Sequence, residues 1–249
     1  MIRKILTLLG QELRRPVRNF YHEATPLLLF GLLTYLGLKL GYAHFIPRIQ
    51  NVDTTVWMLP NLVAFTFMLF TYLHVAEGIY GKKTSGYLSY LLTTDLSPGL
   101  LTLTFTIDGI IKGLVKSIIL LLLYWLLFGA VGSVILWIWF FAVMILVGIF
   151  WASLGIISGL LINQSLVNSY LLVGVILPIV LLSGMIFPLA EYPPSLRMIV
   201  SFLPSALGFE TGRAVLNIAV WSQYFLPLLF GWAIVTFIIA LLLLRKERQ

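Results

Sequence analysis

The 249-residue sequence has no cysteine, few charges and very little acid. Without a thiol it can form no disulfide, carry no iron–sulfur cluster and perform no thiolate chemistry. Only 10% of its residues are charged and 60% are hydrophobic, against ~25% and ~45–50% in soluble domains, so water is not its main solvent. The mean hydropathy of +1.03 says the same. Nine acidic residues face 16 basic ones, for a net charge of +7. The basic residues sit at the ends of apolar runs and in loops, a pattern of topology signals that argues against nucleic acid as a partner. A cleaved leader is not expected: the apolar run between Lys4 and Gln11 is too short, and Glu12, Arg14 and Arg15 stand where a small-residue cleavage site belongs.

What the chain has in abundance is long apolar runs. Six are expected to cross a membrane, at roughly 26–45, 56–75, 106–128, 134–161, 166–189 and 224–244, about 20 residues or more each. They leave only short connections, so one transmembrane domain over 1–249 is expected, with no room for a soluble catalytic domain. Before the first span, Ile2, Ile5, Leu6, Leu9 and Leu13 oppose Arg3, Lys4, Arg14 and Arg15. That predicts an amphipathic helix within 1–25, lying in the headgroup plane or on a soluble partner, with Pro16 ending or bending it. Residues 129–133 make a tight turn between spans three and four, and Asn163 and Gln164 close that pair. Pro178 predicts a kink in span five.

With the N-terminus inside, 12 of the 16 basic residues fall on the cytoplasmic side: Arg3, Lys4, Arg14, Arg15, Arg18, Lys82, Lys83, Lys112, Lys116, Arg245, Lys246 and Arg248. Lys39, Arg48, Arg197 and Arg213 remain outside. The positive-inside rule therefore predicts that both termini and 77–99 are cytoplasmic and that 46–55 and 191–221 are external. Trp125, Phe128, Trp137 and Trp139 then fall near the outer interface, as an aromatic belt would.

Residues with catalytic or metal-binding character are sparse, and no catalytic, cofactor-binding or metal site is expected. His22, His44 and His74 lie at predicted span edges, too scattered for a metal site, and read as interfacial packing. Gly78, Gly81, Lys82, Lys83 and Thr84 superficially suggest a phosphate-binding loop. That motif needs four residues between its glycines and a preceding strand, and here both are missing. In span three, Asp108, Lys112 and Lys116 recur every fourth residue on one face, with Lys112 ~6 Å and Lys116 ~12 Å deeper than Asp108. Either both lysines mark the interface, or Lys116 faces a polar cavity or another subunit.

Two connecting segments are patterned. In 84–98, Thr84 or Ser85 can cap a short helix, Tyr87, Leu88, Leu91 and Leu92 share a face with Tyr90 beside them, and Pro98 with Gly99 ends it. That face can rest on the membrane or enter a partner's groove. In 191–221, Pro193 and Pro194 precede Ser195 as an N-cap, with Leu196, Ile199, Val200 and Leu203 on one face. Pro204 stops that helix, Ser205 can cap a second one, and Glu210 and Arg213 are spaced to pair. A re-entrant or cap-like element is expected, with a plain surface hairpin as the alternative.

Residues Gly86, Tyr87, Leu88, Ser89, Tyr90, Leu91, Leu92, Thr93, Thr94, Asp95, Leu96, Ser97 and Pro98 form one telling stretch. Leu182, Ser183, Gly184, Met185, Ile186, Phe187 and Pro188, continuing through Pro193, Pro194 and Pro204 to Glu210 and Arg213, form another. With six spans, the chain resembles the membrane-spanning subunits of type-2 ATP-binding-cassette exporters. Where many members have Glu or Arg followed by Gly and Thr, this chain has Lys83, Thr84, Ser85, Gly86 and Tyr87.

The resemblance implies an all-α integral membrane fold with six transmembrane helices, an N-terminal interfacial helix, a cytoplasmic coupling helix between spans two and three, and short outer re-entrant helices between spans five and six. It further implies a homodimeric permease bound to two copies of a separate nucleotide-binding ATPase, on which ATP and Mg are bound. Tyr87, Leu88, Tyr90, Leu91 and Leu92 would couple to that ATPase, and Pro193, Pro194, Pro204, Glu210 and Arg213 would form an outer gate. Asp108, Lys112 and Lys116 would line a pathway or interface. Family members export drugs, lipids or lipid-linked saccharides, and the apolar spans lean toward an amphipathic, lipid-like substrate. The rivals are an ATP-independent ion-coupled carrier or protein-translocase subunit, for which Asp108 is the one candidate carboxylate, and a membrane-embedded transferase, disfavoured by the missing acid/base cluster.

Overall fold

The computed structural model describes residues 20–248 except 95, 130, 163, 164 and 221. The helix expected before residue 16 and the Asn163/Gln164 closure lie outside the described residues. The chain is a helical membrane bundle. Helix α1 (Phe20–Leu36) runs on through a π-helical turn (Gly37–Tyr42) to Phe45. A two-residue hairpin follows, β1 (Arg48–Ile49) paired antiparallel with β2 (Val52–Asp53), turning through Gln50 and Asn51 at φ 51° and 65°. Then come α2 (Thr54–Thr84), α3 (Tyr87–Thr93), α4 (Pro98–Phe128) and α5 (Val134–Leu161). After α6 (Ser165–Leu171) the chain reaches α7 (Pro194–Ser201), α8 (Pro204–Val215) and α9 (Phe225–Lys246).

Among the described residues five helices are long and apolar enough to cross a bilayer: Leu27–Phe45, α2, α4, α5 and α9. The remaining expected span is broken. Beyond α6 it passes through a π turn (Leu172–Ile176), a short α segment (Leu177–Val180) and a second π turn (Leu181–Met185), inside which Gly184 adopts φ +82°. Pro178 brings no N–H to the ladder, and wider turns on either side absorb the mismatch.

Both α2 and α4 have 31 residues, about 46 Å of helix, which exceeds the ~30 Å hydrocarbon core. They therefore consume most of the connection expected over 77–99, leaving α3 and two short joints. The expected caps of the short helix serve α2 instead: the hydroxyls of Thr84 and Ser85 donate back to the carbonyl of Gly81. Gly86 at φ +73° then makes the turn into α3. Likewise Pro98 does not end α3 but occupies the first turn of α4, where Ser97 Oγ accepts the Leu100 N–H.

Helix α2 is the axis of the bundle, with 78% of its apolar window buried against 17–39% in the other spans. It is clamped by two Gly-xxx-Gly stripes, Gly109/Gly113 on α4 and Gly155/Gly159 on α5. A methyl group on Gly113 would lie 2.1 Å from Thr71 Oγ1, on Gly155 2.8 Å from the Tyr72 carbonyl, and on Gly159 2.7 Å from the Ala76 carbonyl. Small residues let the backbones approach, and dispersion and packing then hold helices that the hydrophobic effect cannot hold in lipid. Helix α9 packs on α5 and α4, and α1 lies against α4, where the Thr34 and Tyr124 hydroxyls are 2.5 Å apart.

Helix α8 leans back onto α2, α5 and α9, which makes it a re-entrant cap rather than a surface hairpin. Pro193 and Leu203, not Ser195 and Ser205, occupy the N-cap positions of α7 and α8, because Pro194 and Pro204 each take the first helical site. The expected apolar face of α7 is split. Val200 is buried and Leu203 partly so, whereas Leu196 and Ile199 are exposed. The aromatic belt is also split, since Trp137 is core and donates its Nε1–H to the Val131 carbonyl at 2.7 Å, while Trp139 is exposed.

Candidate functional site

Helix α3 sits at the end of the bundle that carries Lys82, Lys83, Arg245 and Lys246. Leu88, Leu91 and Leu92 fall at i, i+3 and i+4 and are buried against Ile79 of α2, Ile156 and Leu160 of α5, and Leu244 of α9. The apolar face expected to meet a partner or the membrane is thus occupied by the chain itself. Tyr87 does not share that face. Its ring stacks on Tyr90 with centroids 6.0 Å apart, and both are exposed. Lys83 Nζ donates to the Leu160 carbonyl and ties the end of α2 to that of α5.

Farther along the bundle, α2 and α4 bring together His74, Asp108 and Lys112. His74 Nε2 lies 2.9 Å from Asp108 Oδ2 and 2.7 Å from Lys112 Nζ, and Lys112 Nζ is 3.2 Å from both carboxylate oxygens. Asp108 and Lys112 are buried. Nε2 has either a proton for Asp108 or a lone pair for Lys112, so one proton on the ring decides which partner it bonds. His74 therefore does more than pack at an interface. Lys116 stands apart from the cluster, its ammonium 4.4 Å from the centroid of the Phe70 ring. Asp108 lies about 30 Å along α4 from Phe128, the thickness of a hydrocarbon core, with Lys112 about 6 Å deeper. Taking Phe128 as one end of the hydrocarbon core puts the cluster at and just inside the other end. An ionisable residue on each of two neighbouring antiparallel spans was the available signal, and it needed the helix register to be read.

At the opposite end, Arg213 of α8 is 1% exposed. Its Nη1 donates to Asn61 Oδ1 and to the Gly184 carbonyl, both at 2.9 Å, and its Nη2 donates to Glu210 Oε1 at 2.6 Å. The guanidinium lies 4.5 Å from the Trp57 ring centroid. Asn61 Nδ2 in turn donates to the Met185 carbonyl at 2.9 Å, and the Ser183 and Ser205 hydroxyls are 2.6 Å apart. Because Gly184 has left the helix at positive φ, its carbonyl is available to Arg213. The network joins α2, the broken span and α8. A cleft of about 710 Å³ opens beside it, lined by Glu210, Arg213, Arg197, Gln50 and Asn217 among others. The structure thus brings Glu210 and Arg213 together, whereas Pro193, Pro194 and Pro204 shape helix starts and stand outside the network. Sequence reading missed Asn61 and Trp57 and took Gly184 only as part of a family-like stretch, and the signal for Asn61 was an amide inside an apolar run.

Among the described residues no group of three or more His, Asp or Glu is placed to hold a metal ion. A search among individual characterised proteins found no match. A family profile described as ABC-2 type transporter matches residues 4–217, from ahead of α1 to just past α8. That match spans the clamped axis, α3, the broken span and the re-entrant cap, so the chain belongs to the ABC-2 type transporter family and is the multi-pass permease component of an ATP-binding-cassette transporter, whose ATP is used by a partner ATPase.

Proposed function

We propose that two copies of this chain form the pathway of an exporter driven by two copies of the separate ATPase, with ATP and Mg bound on that subunit. The observation that carries this reading is the division of α3, whose leucines are set in the chain's own core while Tyr87 and Tyr90 face outward. A partner gripping the tyrosines moves the end of α2 with them. Asn61 lies about 27 Å along α2 from Ile79 and holds Arg213, so tilting α2 pulls on the Glu210/Arg213 latch at the far end. Helix α2 acts as a lever because its glycine-clamped flanks leave it no slack. The 12-to-4 basic bias supports placing α3 and both termini in the cytoplasm, with the chain in the cell or bacterial inner membrane and the latch as an outer gate. The substrate is an amphipathic, lipid-like molecule, a drug or a lipid-linked saccharide, and the apolar spans favour the first.

The test is co-purification of the ATPase and ATP-driven export with a Tyr87→Ala/Tyr90→Ala double variant. Retained thermal stability with lost ATPase binding and export is expected. A variant that binds the ATPase and exports as the wild type does would remove α3 from the coupling.

A further inference from the structure

We propose that the cleft between the start of α4 and the end of α9 is a binding site for one anionic phospholipid. The cleft, about 470 Å³, is lined by Pro98 and Gly99 of α4, by Leu241, Leu242 and Arg245 of α9, and by Arg248 just past its end. Its size falls within the range of small-molecule sites, roughly 300–1,000 Å³. Leu241 and Arg245, at i and i+4 on α9, stand one above the other, and Arg248 follows in the turn past Lys246, so carbon lies below and guanidinium above. Leu241 and Leu242 belong to the apolar run of a membrane-crossing helix, and the arginines follow where that run ends. The walls thus match a molecule with hydrocarbon at one end and an anion at the other.

The other features of the cleft select the same ligand. Among the described residues no carboxylate lines it, although Glu247 lies between the arginines in sequence. Guanidinium groups present a planar fork of donors that fits phosphate oxygens, and basic pockets between transmembrane helices recur as sites for acidic headgroups. Gly99 keeps the floor open: a methyl group there would meet only Leu241 Cδ1, at 3.8 Å. The site also adjoins the joint behind α3. Arg248 Nη1 lies 3.5 Å from the Leu96 carbonyl, and Leu244 packs in the cluster that contains Leu88 and Leu91. A bound lipid therefore braces the joint from which α3 projects. The binding proposal itself rests on neither the direction of transport nor the ATPase.

The purified full-length chain in phosphatidylcholine nanodiscs, titrated with phosphatidylglycerol and read by native mass spectrometry, tests the site. One tightly retained phosphatidylglycerol per chain is expected. Arg245→Ala/Arg248→Ala should weaken retention about tenfold or more, as loss of charge-assisted hydrogen bonds does. Gly99→Leu, which fills the floor and leaves every charge in place, should do the same. Arg245→Ala alone should also weaken retention, whereas Lys246→Ala removes the same single charge one residue away, outside the cleft lining, and should change retention less than about twofold. Equal losses from Lys246→Ala and Arg245→Ala would mean diffuse attraction and overturn the site. So would unchanged retention in Gly99→Leu, or displacement of the lipid by millimolar inorganic phosphate, which would make a free anion the ligand.

Discussion

Arg213 is a guanidinium with almost no contact with water, and it persists because Glu210 supplies countercharge to Nη2 while Asn61 and the Gly184 carbonyl accept hydrogen bonds from Nη1. This predicts a result opposite to that for an exposed pair, which is worth only about 0.2–1 kcal/mol and tolerates reversal. Glu210→Lys should destabilise the protein and abolish transport, and adding Arg213→Glu should not restore either, because the new carboxylate would face two acceptor oxygens. Thermal melting in detergent alongside a vesicle transport assay measures both, and recovery in the double variant would show that charge pairing alone matters there. Asp108 poses the complementary case. Asp108→Asn leaves Lys112 buried beside a neutral group, a loss of about 3–5 kcal/mol. Asp108→Asn/Lys112→Met removes both charges and should regain most of that stability by the same melting assay. If the double variant is stable yet inactive, the cluster moves protons in the cycle instead of bracing α2 against α4.

Among the elements, α2 is met at its backbone by glycines of α5 that leave no room for an extra atom. Gly155→Ala and Gly159→Ala each push a methyl group into a backbone carbonyl at 2.7–2.8 Å, and overpacking of that kind costs about 1–3 kcal/mol. Gly99→Ala, at an ordinary 3.8 Å, should be neutral, so a drop in melting temperature confined to the first two variants checks the clamp. Helix α3 gives a similar contrast over 7 residues. A buried leucine is worth about 1.5–3 kcal/mol, so Leu88→Asp or Leu91→Asp should lower the yield of folded chain, while the tyrosine changes should spare it. Limited proteolysis separates the two classes. The amphipathic pattern of α3 was legible in the sequence because it is local. What the stripe packs against was not, because Ile79, Ile156 and Leu244 come from three other helices.

At the scale of the whole molecule the charge bias predicts an orientation that the tip residues can report. Asn51, at the exposed turn of the hairpin, and Ser89, exposed on α3, lie at opposite ends of α2. In a chain without cysteine, Asn51→Cys should react with an impermeant maleimide on intact cells and Ser89→Cys only after permeabilisation. The reverse pattern would turn the whole assignment over, placing α3 outside and the Arg213 latch inside.

The sequence by itself determined the solvent, five continuous crossings and a sixth weakened by proline, the family, and the sites of the short helices. A bilayer acts on each segment separately, through its length, its hydropathy and the charges at its ends. Only the tertiary structure decided that His74 meets Asp108 across 34 positions and that Arg213 meets Asn61 across 152. Such contacts depend on the rotation and depth of one helix against another. Small residues set that rotation and depth by how closely they let backbones approach, and hydropathy along a single helix carries no trace of it.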